Sequence, residues 1–199
     1  MQMVLALKPL HDKYKIKRVV VSTYQAVSGA GYPGVSSMDV VGNVIPYIEG
    51  EEEKLETETK KILGQLIDGQ VELHPVVVSA HTTRVPVIDG HTEMLSVGFD
   101  TAPKPEEVLT AFREFAGRPQ IEQMPTAPSQ PIVYMTASDR PQPRLDVNRE
   151  GGMAITVGRL RPCNLLNYKL VVLGHNTVRG AAGAAILNAE LMKTDGLLD

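Results

Sequence analysis

The chain has 199 residues, 43% of them hydrophobic and 22% charged, which is enough apolar material for one ordinary core. Its 20 basic and 23 acidic residues leave a net charge of −3, so composition gives no general attraction to nucleic acid or to an anionic membrane. No apolar run reaches the length of a membrane span, no basic leader with a small-residue cleavage site is read, and the single Cys163 excludes an internal disulfide and a cysteine-built zinc site. A cytoplasmic location fits these features.

In chain order, residues 3–14 are expected to form a helix, with Val4, Leu7 and Leu10 at helical spacing. Residues 17–24 (KRVVVSTY) are β-branched and predict a buried strand. A small-residue loop follows at 25–34, and 36–48 stay ambiguous because Gly42 and Pro46 interrupt them. Residues 51–66 predict a helix with acids in its first turns and Lys60 and Lys61 later, the order a helix dipole favours. Residues 76–87 and 91–99 alternate like strands, and Asp89-Gly90 between them predicts a hairpin. Residues 101–117 predict a helix capped by Thr101, with Pro103 and Pro105 at its entry and Gly117 at its end. Residues 118–152 are proline-rich and polar around one short strand at 131–135. Strands at 153–161 and 167–174 and a small-residue helix at 177–193 complete the chain. Strands outnumber helices without alternating with them, which predicts an α+β fold: one mixed, mostly antiparallel sheet covered by helices.

Four segments could carry chemistry. Ser22 to Gly34 (STYQAVSGAGYPG) is a strand running into glycines, where a ligand can approach the backbone and N–H groups can hold an anion; a plain glycine turn gives the same pattern. In HTTRVPVIDGH, a two-residue turn would set Ile88 opposite His91 and put Arg84 and His91 on one sheet face, pairing a fixed cation with an imidazole; a surface arginine and a turn histidine would read the same. In EEEKLETETKKIL, Glu58 and Lys61 flank the apolar stripe of Leu55, Ile62 and Leu66, as solvated charges on a helix also would. In GHNTVRGAAG, Asn176 and Thr177 stand at a helix N-cap, with Arg179 adding positive field for an anion; simple capping is the alternative. Cys163 lies in RPCNLLNY without a nearby histidine or helix start, an unreactive setting. His74, His81 and His91 lack a carboxylate set at ligand spacing, so no metal site is indicated.

Taken in order, STYQAVSGAG, EEEKLETETKKILG, HTTRVPVIDGHTE, DRPQPRLD, GRLRPC and HNTVRGAAGAAILNAEL resemble aspartate-semialdehyde dehydrogenases of the archaeal and fungal type over essentially the whole chain. The resemblance implies an NADP(H)-dependent interconversion of aspartyl phosphate and aspartate semialdehyde through a cysteine thioester, on the route to lysine, methionine and threonine. It implies His91 as general acid/base and Gln25 as the group orienting substrate at the nucleophile. Arg84 would bind the substrate carboxylate, Glu58 the amino group and Lys61 the phosphate. Ser28, Gly29 and Asn176 would contact the cofactor. Partners would be a small-molecule substrate, phosphate and sister subunits in a homodimer or homotetramer.

In that family, a glycine-rich nucleotide-binding half ends in an Asn-Cys-Ser/Thr segment leading into the helix that MVLALKPLHDKYK resembles. The resemblance therefore implies a chain without nucleophile and dinucleotide loop, inactive by itself. It divides the chain into a helix at 1–14 bordering that half, a catalytic and dimerisation domain at 15–174, and a helix at 175–199 returning to it. Both end helices are then expected to expose apolar surface and to be mobile. A non-catalytic dimerisation module and an acyl-CoA reductase of the same fold are the competing readings.

Overall fold

The computed structural model describes residues 2–198; Met1 and Asp199, the outer bounds of the expected end segments, lie outside the described residues. The element order is α1 (Gln2–Tyr14), β1 (Ile16–Gln25), α2 (Ser37–Val40), α3 (Glu51–Ile62), β2 (Gln65–Ile67), β3 (Gln70–Glu72), β4 (Val77–Arg84), β5 (His91–Phe99), α4 (Pro105–Arg113), α5 (Arg118–Ile121), β6 (Ile132–Met135), α6 (Pro143–Asp146), β7 (Ile155–Pro162), β8 (Tyr168–Gly174) and α7 (Gly183–Thr194). Six strands form one sheet in the order β4-β1-β5-β8-β7-β6; β2 and β3 make a separate two-stranded ribbon. The outer pairs β1/β4 and β6/β7 are parallel, and the inner pairs are antiparallel. This is the mixed, mostly antiparallel α+β sheet that the sequence predicts.

One face of the sheet carries Val19, Val21, Leu95, Val97, Leu170 and Val172, all buried. α1 covers it through Met3, Ala6, Leu7 and Leu10, which are at most 1% exposed. Each of the Met3, Leu7 and Leu10 side chains contributes about 1.5–3 kcal/mol relative to exposure, so α1 is an element of the core. The expectation that the first helix exposes apolar surface is therefore wrong for α1: its stripe meets the strands directly. α7 does expose such surface, with Leu187 buried but Ile186 and Met192 in solvent. α4 adds Val108 and Phe112, the latter stacked on Tyr134. On the opposite sheet face Val20, Tyr24, Val77 and Met94 are exposed.

The expected hairpin between residues 76–87 and 91–99 does not form. β1 lies between β4 and β5, parallel to one and antiparallel to the other. Pro86 has no N–H for a ladder, and β4 stops at Arg84. The chain then crosses the end of β1: Val85 N donates to Gln25 O, Val27 N to Val87 O and Ser28 N to Ile88 O. Gly90 does adopt a positive φ of 98°, but its N–H bonds Asn176 instead of closing a turn. Two other boundaries move. α3 ends at Ile62, before the ribbon, and Lys104 replaces Thr101 at the start of α4, its N–H bonded to Glu107.

Candidate active site

The site is built where the apolar face of the sheet turns polar. Gln25 on β1 is paired with Arg84 on β4, and the register that sets Tyr24 against Thr92 brings Gln25 level with His91 on β5. Residues level across a sheet share a face, so Arg84, Gln25 and His91 form one row. Thr82, Thr23 and Glu93 form the row beneath it, and Ala80, Val21 and Leu95 the next, which is apolar. Arg84 and His91 thus share a face as the sequence predicts, although a strand and not a turn brings them together.

The first residue after β1 joins them. Arg84 Nη1 donates to Ala26 O at 2.7 Å, and Ala26 N donates to His91 Nδ1 at 3.1 Å. Nδ1 is therefore an acceptor, the neutral ring carries its proton on Nε2, and Nε2 is the nitrogen free for a ligand. Burial first, and then the Arg84 charge, lower the His91 pKa to about 4. Burial likewise lowers that of Arg84. Gly29 lies over both side chains. A Cβ there would sit 2.9 Å from Arg84 Nη1 and 3.0 Å from His91 Cε1, so these side chains would have to shift to admit it.

Asn176 is not a helix cap. Its Oδ1 accepts from Gly90 N at 2.8 Å and its Nδ2 donates to Ser28 Oγ at 2.8 Å. One buried amide thus ties the glycine loop, the entry to His91 and the start of the last helical segment. That segment opens with a π-type turn over Val178–Ala182. Thr177 makes no cap bond either; its hydroxyl meets His175 Nδ1 at 3.2 Å.

α3 forms the far wall. Gln25 Nε2 contacts Glu51 Oε2 at 3.4 Å, and Glu51 Oε1 meets Lys54 Nζ at 3.3 Å. The sequence singles out Glu58 and Lys61 instead. The structure places Glu58 on the wall of the same cleft two helical turns further on, and Lys61 exposed and outside the cleft lining. The segment contains two Glu-x-x-Lys pairs seven residues apart on one helix face, so helical period alone gives no basis for choosing between them. Only the seating of α3 against the sheet sets the first pair beside Gln25. Glu93, which sequence reading missed, is 3% exposed, and burial raises its carboxyl pKa to about 7. Its Oε2 has no hydrogen-bond partner among the described residues. Its signal was alternation: two residues beyond His91 on a strand is the same face.

The cleft between sheet end, glycine loop, α3 and the last helical segment has a volume of about 690 Å³ and is lined by His91, Gln25, Arg84, Ser28, Gly29, Asn176, Glu51, Lys54 and Glu58, among others. Cys163 lies elsewhere, beside Ser96; backbone N–H groups of Leu166 and Leu165 lower its pKa. Among the described residues no cluster of three or more His, Cys, Asp or Glu could hold a metal, and no helix is long and apolar enough to cross a membrane.

A buried imidazole, a guanidinium, a carboxamide and a Glu–Lys pair around one cleft bring fixed charges of both signs and a neutral base together. Residues 7–179 match the family model described as semialdehyde dehydrogenase, dimerisation domain, and the chain belongs to the semialdehyde dehydrogenase family. It is 54% identical over 192 residues to the aspartate-semialdehyde dehydrogenase of Methanothermobacter thermautotrophicus, an alignment covering 94% of this chain and 55% of that protein. It is 47% identical over 205 residues to that of Candida albicans, covering 98% and 56%. The solved Candida albicans aspartate semialdehyde dehydrogenase with NADP superposes with a TM-score of 0.91 at 45% identity, covering 99% of this chain and 56% of that one. The chain spans about half the length of the curated relatives it matches.

Proposed function

We propose that this chain provides the substrate-binding and proton-handling part of an aspartate-semialdehyde dehydrogenase, the NADP-dependent enzyme that interconverts aspartyl phosphate and aspartate semialdehyde. The observation that carries this reading is the row Arg84–Gln25–His91 facing Glu51 and Lys54 across one cleft. Arg84 is the cation for the substrate carboxylate, held in place by the Ala26 carbonyl. Glu51 is the nearer candidate for the amino group, and Lys54 for the phosphate; Glu58 stands one helical repeat away. Gln25, whose Nε2 makes long contacts with Glu51 and Thr23, presents its amide on the cleft wall to orient the reacting carbonyl.

His91 Nε2 serves the oxygen of the tetrahedral species. In the tautomer that the Ala26 N–H bond implies, it is a hydrogen-bond donor to that oxygen; accepting the hydroxyl proton instead requires the ring to give up that bond. Gly29, Gly31 and Gly180 leave part of the cleft wall as backbone, which fits a flat ring such as nicotinamide, with Ser28, Gly29 and Asn176 as its neighbours. NADP, when bound, supplies the hydride acceptor. The thiol that forms the thioester, and most of the dinucleotide site, belong in this reading to the part of the relatives' length that the chain does not span. Residues 15–174 then form the catalytic and dimerisation domain, and the segments at 1–14 and 175–199 adjoin the nucleotide-binding half. A second copy of the chain covers the open sheet face at Val20, Tyr24 and Met94.

The test is to join residues 1–199 to the part of the Methanothermobacter enzyme that they do not span. The joined protein should oxidise aspartate semialdehyde with NADP and phosphate, and His91→Asn should reduce turnover by about 10²–10⁴-fold. Turnover equal to the parent in His91→Asn, or turnover of an acyl-CoA thioester in place of aspartate semialdehyde, would refute the assignment.

A further inference from the structure

We propose that Glu52 and Glu56 are positioning residues that seat Glu51 and Lys54 at the cleft by bonding α3 to the open edge of β4. This inference rests on reading the cleft as a substrate site.

β4 is an edge strand, and its outward N–H groups need acceptors or present a template for pairing with another chain. Three successive outward donors are satisfied. Ala80 N donates to Glu56 Oε1 at 3.1 Å, Thr82 N to Glu52 Oε1 at 3.0 Å, and Arg84 N to Ile45 O at 2.8 Å. The match is geometric. Residues four apart on a helix are separated by about 6 Å along the axis, and residues two apart on a strand by about 6.6 Å. Two carboxylates one turn apart therefore reach two alternate strand N–H groups only if the helix lies along the edge at one offset. Sliding α3 by a turn leaves one carboxylate without its donor.

At its far end α3 is held by Leu63 in the core and by His74 N donating to Lys60 O, but along the stretch that faces the cleft little else fixes that offset. Thr59 is its one buried residue, Leu55 packs only partly against the core, and Gly50 gives no side-chain cap. Apolar contact is tolerant of sliding, whereas two charge-assisted hydrogen bonds to fixed backbone are directional. The clamp thus decides which of the two Glu-x-x-Lys pairs faces Gln25 and Arg84. Thr82 and Arg84 are alternate residues of one strand, so the bond from Glu52 is made beside the residue that binds the substrate carboxylate.

The experiment compares four forms of the joined enzyme: unsubstituted, Glu52→Ala/Glu56→Ala, Glu52→Gln/Glu56→Gln, and Glu53→Ala as an exposed control on the same helix. The double alanine form should raise KM for aspartate semialdehyde about tenfold while kcat stays within about threefold, since ground-state seating and not chemistry is lost. The glutamine form keeps an acceptor oxygen on each side chain and should restore KM to within about threefold of the unsubstituted enzyme. Amide exchange at Ala80 and Thr82, measured in the 199-residue chain itself, should rise at least about tenfold in the alanine form and remain slow with glutamine. If the double alanine form does not fold, each single alanine variant should raise KM about threefold. Unchanged KM with a folded alanine form, unchanged exchange at those two amides, or failure of glutamine to rescue overturns the proposal. Absence of turnover in the unsubstituted joined enzyme counts against the functional reading alone, and the exchange measurement still decides the clamp.

Discussion

Arg84 and His91 grip the same residue from opposite strands: Arg84 donates to the carbonyl of Ala26, and the N–H of Ala26 donates to His91. A cation and an imidazole of one site are thereby fixed through a single stretch of backbone, and the imidazole is held neutral with a defined tautomer. His91 and Arg84 are coupled in position as well as in charge.

Acid should loosen this arrangement. His91 has its pKa lowered from 6.5 to about 4, and so does His11, which sits edge-on against His74 with Lys8, Asp12 and Lys15 nearby. A base with a lowered folded pKa binds fewer protons folded than unfolded between those values. Stability is therefore fully present above about pH 6.5 and falls as pH drops toward 4. Urea unfolding at pH 7 and pH 4.5 should show a loss on the order of 2 kcal/mol for His91, removed by His91→Gln. An acid-side slope unchanged in His91→Gln and in His11→Gln would count against the buried neutral imidazoles.

The two Glu-x-x-Lys pairs are separable by substitution. Glu51→Gln should raise KM for aspartate semialdehyde in the joined enzyme by about 10–100-fold, as loss of a charge-assisted contact does, and Glu58→Gln by less than about threefold. Lys54→Met should weaken the dependence on phosphate more than Lys61→Met. The reverse order in steady-state kinetics would return the substrate contacts to Glu58 and Lys61.

Gly29→Ala tests the packing above the site. The new methyl would press on both Arg84 and His91, and moving either costs about 1–3 kcal/mol in a well-packed setting. A rate at least about tenfold lower with an unchanged far-ultraviolet spectrum is expected, because small misplacements of reacting groups are costly. Full activity would mean that the loop and the two side chains yield freely.

Asn176→Ala should remove two hydrogen bonds and leave the Gly90 N–H buried without an acceptor. A destabilisation of about 1–3 kcal/mol in urea is expected. Asn176→Asp keeps an acceptor for Gly90 and should recover part of that loss. Equal loss in both variants would show that the Gly90 bond contributes little.

The cleft shows where sequence pattern is sufficient and where it is not. Gln25, Ser28 and Gly29 line the cleft; the strand running into glycines marks their loop locally, but a plain glycine turn gives the same pattern and only the resemblance singles them out. Arg84 and His91 were placed on one face for an incorrect reason, since alternation gives each strand its two faces but not the identity of its neighbour. Glu51 and Lys54 were hidden because a helical repeat duplicates a pair without marking which copy is seated. Asn176 read as a cap because its neighbours in sequence suit one, while its actual partners, Ser28 and Gly90, lie far away in the chain.

The sequence by itself determined the α+β class, the six strands of the main sheet and the main helices to within a few residues, though not the β2–β3 ribbon, and the residue types gathered at the cleft. Hydrophobic period and turn chemistry act over a few neighbouring positions, and the sequence records them directly. Only the tertiary structure decided that β1 enters between β4 and β5, that α1 packs its apolar stripe into the core, and that Glu51 of the first Glu-x-x-Lys pair meets Gln25. These are outcomes of register and docking between distant segments, where burial and backbone hydrogen bonds over the whole sheet outweigh the local preference of an Asp-Gly turn.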